Sequence, residues 1–291
     1  MQTGKTFDRT RQDVGNILFL EHVNVRVPNQ ETASDFWVDG LGLTRDPYLR
    51  VGTDNMWANV GQSQFHMPRG GPHVIQGFVD LVIPDIDVLP SRLEAVKERL
   101  AGTAFTFSVE GTHVAATCPW GNRVRCFAPA PEFLGATLGL MRFEVPIERG
   151  HAAGIARFYR EIMEAPATTA EERGDAVTRV KIGQRQWLVF RETSEAIRPW
   201  DGNHIAVYIR DFSGPHKRLA ERGLISEESD EYQYRFDKIA DPDSGTLLAR
   251  LEHEVRSYTH PMFMRPLINR NPEQTQPKFR WGRDAFYPPL T

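Results

Sequence analysis

A four-fold recurrence within 291 residues limits the folds open to this chain more than any single residue does. Four segments open with a short alternating run, pass through a helix-like stretch and close in further strand-like runs. The first begins at Leu20 (LEHVNVRVP) and continues into NQETASDFWVDGLG; the second begins near Gln76 (QGFVDLVIP) and continues into VLPSRLEAVKERLAG. The third begins at Leu140 (LMRFEVPIE), before HAAGIARFYREIMEA, and the fourth at Asn203 (NHIAVYIRD), before GPHKRLAERGL. The closing runs also repeat in alternate modules. VGQSQFHMP from Val60 matches IGQRQWLVF from Ile182, and CPWGNRVRCF from Cys118 shares a pre-strand turn with DPDSGTLLARLEHE from Asp241. Gly-Asn and Ser-Gly suit such turns because they tolerate positive φ. Chance alternation over five residues is common, but four occurrences, each followed by a helix, are not chance. The pattern predicts an α+β fold of four βαβββ modules in the order A-B, A′-B′. The boundary falls in the Pro-, Gly- and Ala-rich stretch Ala128–Gly139. This gives an N-terminal domain over 17–130, a C-terminal domain over 138–258 and an extended arm over 259–291.

Alternate side chains of a strand point to opposite faces. Val23, Val25 and Val27 then oppose His22, Asn24 and Arg26, while Ile205, Val207 and Ile209 oppose His204, Ala206, Tyr208 and Arg210. In the second module Val79, Leu81 and Ile83 oppose Phe78 and Asp80; in the third, Phe143, Val145 and Ile147 oppose Arg142 and Glu144. The apolar faces match stripes on the following helices, such as Phe36/Trp37 and Leu93/Val96/Leu100, and should bury there. The polar faces suit either bulk water or a curved, half-open barrel. The prevalence of His, Arg, Glu and Tyr over Lys, Ser and Thr favours the barrel. The last strands add matching faces, with Arg123 and Arg125 in one half and Arg250, Glu252 and Glu254 in the other.

HVNVRVPNQETASDFWVDGLGL, with its leading His, aromatic pair and Gly-Leu-Gly exit, resembles the opening module of the vicinal oxygen chelate superfamily, which includes glyoxalases, bleomycin-resistance proteins and extradiol dioxygenases. NHIAVYIRDF, followed by a helix and DPDSG, is similar to that family's second module. The resemblance spans roughly residues 17–257. It implies tandem modules paired into two half-open barrels, with a divalent metal (Fe, Mn or Zn) held in a cup by the first and last strands of the paired modules. Carried over residue by residue, the ligand positions fall on His22 and His66 in the first half, where Phe78 and Arg125 occupy the other two. In the second half they fall on His204, on Arg142 or Glu144, and on Leu188, with Glu252 further along the last strand. The expected metal sets are therefore Glu144, His204 and Glu252 in one cup, and His22 and His66 with Asp80 in the other.

The chemistry implied is that of a small-molecule enzyme, a dioxygenase, lyase or isomerase, with Glu252 and Tyr208 as candidate proton-moving groups. The alternatives are a metal-free binding protein for an anionic or aromatic ligand, and a paralogue with degenerate sites. In the metal-free reading Arg125, Arg142 and Arg250 grip the ligand, since guanidinium forks bind carboxylate or phosphate bidentately; Trp187 and Phe190 add aromatic lining. Each arginine has a plainer alternative in ion pairs with Asp80, Glu144 or Glu252.

Other classes lack support. A net charge of -3, with no basic stripe, argues against nucleic acid and membrane partners. No run approaches the ~20 apolar residues needed to cross a bilayer, and no Gly-rich nucleotide fingerprint follows a strand. Two cysteines, Cys118 and Cys126, do not make a disulfide framework and fit a reducing compartment. With a polar N-terminus carrying no apolar stretch, the chain reads as cytoplasmic. From His253 onward the prolines and aromatics suggest an arm laid across a neighbouring surface, capping a cup or crossing a homodimer interface. His260 and Arg265 could reach a site from it.

Overall fold

The computed structural model describes residues 7–49 and 54–269. Every module forms its βαβββ unit. The first comprises β1 (Ile17–Asn24), α1 (Gln30–Ser34), β2 (Thr44–Arg45), β3 (Asn55–Val60) and β4 (Ser63–Pro68). The second comprises β5 (Phe78–Val82), α2 (Leu89–Ala95), β6 (Thr106–Glu110), β7 (His113–Thr117) and β8 (Arg123–Phe127). The third comprises β9 (Gly139–Glu148), α3 (Ala152–Glu161), β10 (Ala167–Glu172), β11 (Asp175–Lys181) and β12 (Trp187–Thr193). The fourth comprises β13 (His204–Ile209), α4 (Ser213–Ala220), β14 (Ile225–Asp230), β15 (Gln233–Ala240) and β16 (Leu247–Ser257).

Local chemistry explains the joints. Asn29 caps α1, its side chain accepting from the backbone N–H groups of Glu31 and Thr32 at 2.8 and 3.1 Å. The helix then continues as a π-helix over Asp35–Gly40, which buries Phe36 and Trp37. In the DPDSG turn the Asp241 carboxylate accepts from the N–H groups of Asp243 and Ser244, and Gly245 takes the positive φ.

The strands form two eight-stranded mixed sheets that do not close into barrels, with orders β14-β15-β16-β13-β1-β4-β3-β2 and β10-β11-β12-β9-β5-β8-β7-β6. Within each module the first strand runs parallel to the last. The seams between modules are antiparallel and join β1 to β13 and β5 to β9. The first module therefore shares a sheet with the fourth, and the second with the third. This corrects the expected pairing of modules within each half. The physical reason is that every leading strand offers the same open edge, so four similar patterns do not say which two edges meet.

The apolar strand faces and the helices form one core that runs through both sheets, containing Val23, Phe36, Trp37, Leu93, Phe143, Phe158, Ile205 and Phe236. Gln186, the last residue of the second Gly-Gln-x-Gln run, ties the sheets together. Its carbonyl accepts from Leu20 N–H at 2.9 Å, and its amide lies 3.0 Å from Leu20 O, 2.9 Å from Ser63 Oγ and 3.1 Å from Leu140 O. Replacing this buried amide by an apolar side chain strands backbone groups without partners. Gln186→Leu is expected to cost about 2–3 kcal/mol in urea unfolding, whereas Gln184→Leu on the exposed neighbour should stay within about 0.5 kcal/mol. Equal stability of the two variants would contradict this role.

Candidate metal centre

The β1–β13 seam brings three histidines together. His22, His66 and His204 each present a ring nitrogen within 4.8 Å of the others, with ring centroids of His22 lying 5.3 Å from His66 and 5.7 Å from His204. His22 comes from β1, His66 from the parallel neighbour β4, and His204 from the antiparallel neighbour β13. The fourth edge of the cluster is Glu254 on β16, whose Oε2 lies 3.5 Å from His204 Nε2.

The register explains why Glu254 lies beside the three histidines. His66 pairs with Asn24, two residues beyond His22, and Glu254 pairs with Ala206, two residues beyond His204. The two modules thus place His66 and Glu254 at equivalent points. Glu252 pairs with His204 itself and lies behind it, its Oε1 3.3 Å from His204 Nδ1. The sequence offered Glu252 as a ligand; Glu254, two residues on, shares with His66 the two-residue offset from the leading-strand histidine.

A bulge in β1 positions the other orienting carboxylate. Leu20 pairs with Val207 and His22 with Ala206, so Glu21 is an extra residue. Strict alternation would point Glu21 into the core, yet it shares the cup face with His22 and accepts from His22 Nδ1 at 2.7 Å. That bond engages Nδ1 and leaves Nε2 as the ring nitrogen available to another partner. The ring is 0% exposed, and Nε2 is a buried atom with no hydrogen-bond partner. A buried, unpaired imidazole nitrogen aimed at two other imidazoles is costly, and a cation there would remove the cost.

His66 is stacked on Trp57 with centroids 3.8 Å apart, and is held by Asn24 at 2.8 Å and Asn55 at 2.7 Å. Burial, then the charges of His22 and His204, push its pKa down to about 2. His204 is also lowered, by burial first, with the Glu254 carboxylate pulling the other way. Glu254 is 3% exposed. Burial alone would raise its pKa, but His204, His22, Arg256 and Arg235 outweigh this and hold the carboxyl well below the usual range. His66 and His204 are thus neutral and Glu254 ionised near neutral pH, the forms a metal binds, although both His66 ring nitrogens are engaged by Asn24 and Asn55, so ligation by His66 would displace one of them.

The rim is polar and interlocked. Arg235 donates to Glu252 at 2.6 Å and to Glu254 at 2.5 Å. Arg256 pairs with Glu254 and donates to Glu21 at 2.8 Å and to the Tyr208 hydroxyl at 3.3 Å. Burial, then the Glu21 carboxylate, push Tyr208 up to about 12, so it acts as a hydrogen-bond donor at neutral pH.

The other sheet carries no such cluster among the described residues. Its seam places Phe78 opposite Glu144 and Asp80 opposite Arg142. Asp80, 0% exposed, accepts from Arg125 Nε at 2.6 Å and pairs with Arg142 Nε at 2.5 Å. Glu144 pairs with Arg125 at 3.3 Å and Arg191 at 3.2 Å. The guanidiniums of Arg123 and Arg125 lie over the Phe78 ring. Glu144, Arg142 and Arg125 are therefore held in an ion-pair network of a different sheet from His204, and Asp80 is likewise separated from His22 and His66. Arg250 sits on β16 but is half exposed and pairs with Asp237 at 3.2 Å. Trp187 lies on β12 of the second sheet, and Phe190 packs into the core against Tyr159.

No protein-family model matches the sequence, and no curated protein sequence matches it. Solved structures do match. Glyoxalase I from Zea mays superposes with a TM-score of 0.56 at 13% identity, over 82% of this chain and 92% of that one. A presumptive dioxygenase from Bacillus subtilis subsp. subtilis str. 168 gives 0.51 at 14% identity, over 87% and 91%. The chain shares the fold of these structures. One of its module pairs carries a histidine cluster and the other an ionic network.

That network should bear stability alone. Asp80→Asn leaves Arg125 and Arg142 without their shared carboxylate. It is expected to cost about 2–3 kcal/mol in urea unfolding, less than the ~3–5 kcal/mol of a fully buried pair, because both arginines keep some water contact. A change within about 0.5 kcal/mol would show that the pairs contribute nothing.

Proposed function

We propose that the chain is a small-molecule enzyme whose cup holds one divalent ion, with His22, His66, His204 and Glu254 as ligands. The observation that carries this reading is the convergence of three imidazoles, two buried and His66 half-buried, with His22 Nε2 left unpaired. Three imidazole nitrogens and a carboxylate oxygen suit Zn, Mn or Fe(II) rather than Ca or Mg, which prefer all-oxygen sets. The carboxylates Glu21, Glu252 and Glu254 face the guanidiniums of Arg235 and Arg256, so the acidic groups beside the imidazoles outnumber the arginines.

When bound, the ion would supply Lewis-acid polarisation of a substrate oxygen. The chain's own groups do the rest. Glu21 holds the His22 ring by its Nδ1, and Glu252 lies 3.3 Å from His204 Nδ1. Arg235 and Arg256 keep Glu254 ionised. Tyr208, protonated and beside Arg256, can donate a proton or hydrogen bond to an oxygen that gains charge. Glu252, offered from the sequence as both ligand and proton carrier, serves in this reading as the carboxylate that orients His204.

The test is metal binding by protein stripped with chelator and then exchanged into Zn2+, Mn2+ or, without oxygen, Fe2+. One ion per chain is expected. His22→Ala and His204→Ala should each lower affinity by more than the ~10–100-fold typical of losing an outer hydrogen-bond partner, and Asp80→Asn should leave it unchanged. No bound ion, or an ion retained in both histidine variants, would overturn the proposal.

A further inference from the structure

The C-terminal arm crosses the cup without joining either sheet. Tyr258 N–H donates to Ile209 O at 3.1 Å, and the chain then leaves the ladder through successive turns. His260 N–H donates to Ser257 O, Phe263 N–H to His260 O and Arg265 N–H to Met262 O. Among the described residues the arm makes no strand, and none of residues 258–269 is buried. Between the arm and the sheet lies a cavity of about 390 Å³, bordered by Phe19, Glu21 and Tyr208 on the sheet side and by Met262 and Leu267 on the arm side.

The bonds that hold the arm are few and polar. Asn59 donates to Ile268 O at 2.8 Å, and Asn269 exchanges hydrogen bonds with the Gly61 backbone at 3.0 and 2.7 Å. Arg265 donates to Gln64 Oε1 at 2.8 Å and to Asp46 Oδ2 at 3.3 and 3.4 Å. Phe263 meets the Tyr208 ring edge-on at 5.0 Å. The receiving side is a prepared socket. Asp46, Asn59 and Gln64 are all buried, and the Gln64 amide joins them, donating to Asp46 at 3.1 Å and to Asn59 at 2.6 Å. The other Asp46 oxygen accepts from the N–H groups of Tyr48 and Leu49. Gln64, Arg265 and Asn269 border the cavity, so parting them exposes polar groups to water and strands none in the core. A segment held in this way, with no buried apolar side chain, opens at far lower cost than the sheet beneath it.

We propose that the arm is a latched lid. It opens as a unit about the turn at 257–260 while both sheets stay folded, and the contact of Arg265 with Asp46 and Gln64 is the latch. Opening uncovers Tyr208, which is 0% exposed with the arm in place, and with it the Glu21 side of the histidine cluster. The motion is independent of the metal reading above; that it admits a substrate rests on that reading.

The test is alkylation by N-ethylmaleimide of the metal-free full chain carrying Tyr208→Cys, with each thiol followed by peptide mass mapping. Cys118 and Cys126, both 0% exposed, are the internal control, because they react only when the core unfolds. The introduced thiol is expected to react at least about tenfold faster than either. Arg265→Gln removes charge-assisted hydrogen bonds and should speed that reaction about tenfold or more. Asn269→Ala, which changes no charge, should act in the same direction, and neither substitution should alter Cys118 or Cys126. Where Tyr208→Cys does not fold, amide hydrogen exchange reads the same motion without the reporter. Gly61 N–H, whose acceptor is Asn269, should then exchange faster in Arg265→Gln while the β1 amides do not change. A thiol that reacts no faster than Cys118 and Cys126, one that reacts as fast as a free thiol, or a rate (of alkylation or of Gly61 exchange) that ignores Arg265→Gln would overturn the proposal. Since the protein is metal-free, none of these outcomes depends on whether the histidines hold an ion.

Discussion

The antiparallel seam between β1 and β13 is the contact on which the cup depends. It sets Asn24 opposite His204 and Ala206 opposite His22, so that first-strand side chains from opposite ends of the sequence share one face. Parallel pairing of β4 with β1 and of β16 with β13 then brings in His66 and Glu254 at matching offsets. Main-chain hydrogen bonds fix this register, and a slip by one residue would turn every one of these side chains into the core. The bulge at Glu21 is the single departure from alternation that the site needs, because it gives His22 a carboxylate partner from its own strand.

The second seam, β5 to β9, is built the same way but filled differently. Where the first sheet gathers imidazoles, the second gathers guanidiniums, carboxylates and Phe78. Fully paired charges leave no free lone pair there, whereas the first sheet keeps an unpaired nitrogen in a buried place. A stable fold avoids such an atom unless something compensates for it. One architecture thus carries an ionic brace in one half and a cluster poised for a cation in the other.

Much of the fold was legible in the sequence. The four alternating runs, their helices and the turns at Gly121–Asn122 and Ser244–Gly245 follow from local chemistry, and, apart from the bulge at Glu21, the polar and apolar faces of β1, β5, β9 and β13 came out as alternation dictates. The partner of each module did not, because edge pairing is a long-range choice among four similar edges. The site reading inherited that gap. His22, His66 and His204 were all singled out, but His204 was grouped with Glu144, which lies in the other sheet. Glu21 was hidden by the bulge, and Glu254 was read only as part of the polar face of the last strand. Arg265 was legible as a residue able to reach a site, but its partners, Asp46 and Gln64, lie about 200 residues away in sequence.

X-ray absorption fine structure at the edge of a bound Zn2+, Mn2+ or Fe2+ ion tests the central claim most directly. The account predicts a shell of N/O neighbours at about 2.0–2.2 Å, with outer scattering from three imidazoles that falls to two in His204→Ala. A shell of oxygens without imidazole scattering, or one unchanged in His204→Ala, would contradict it.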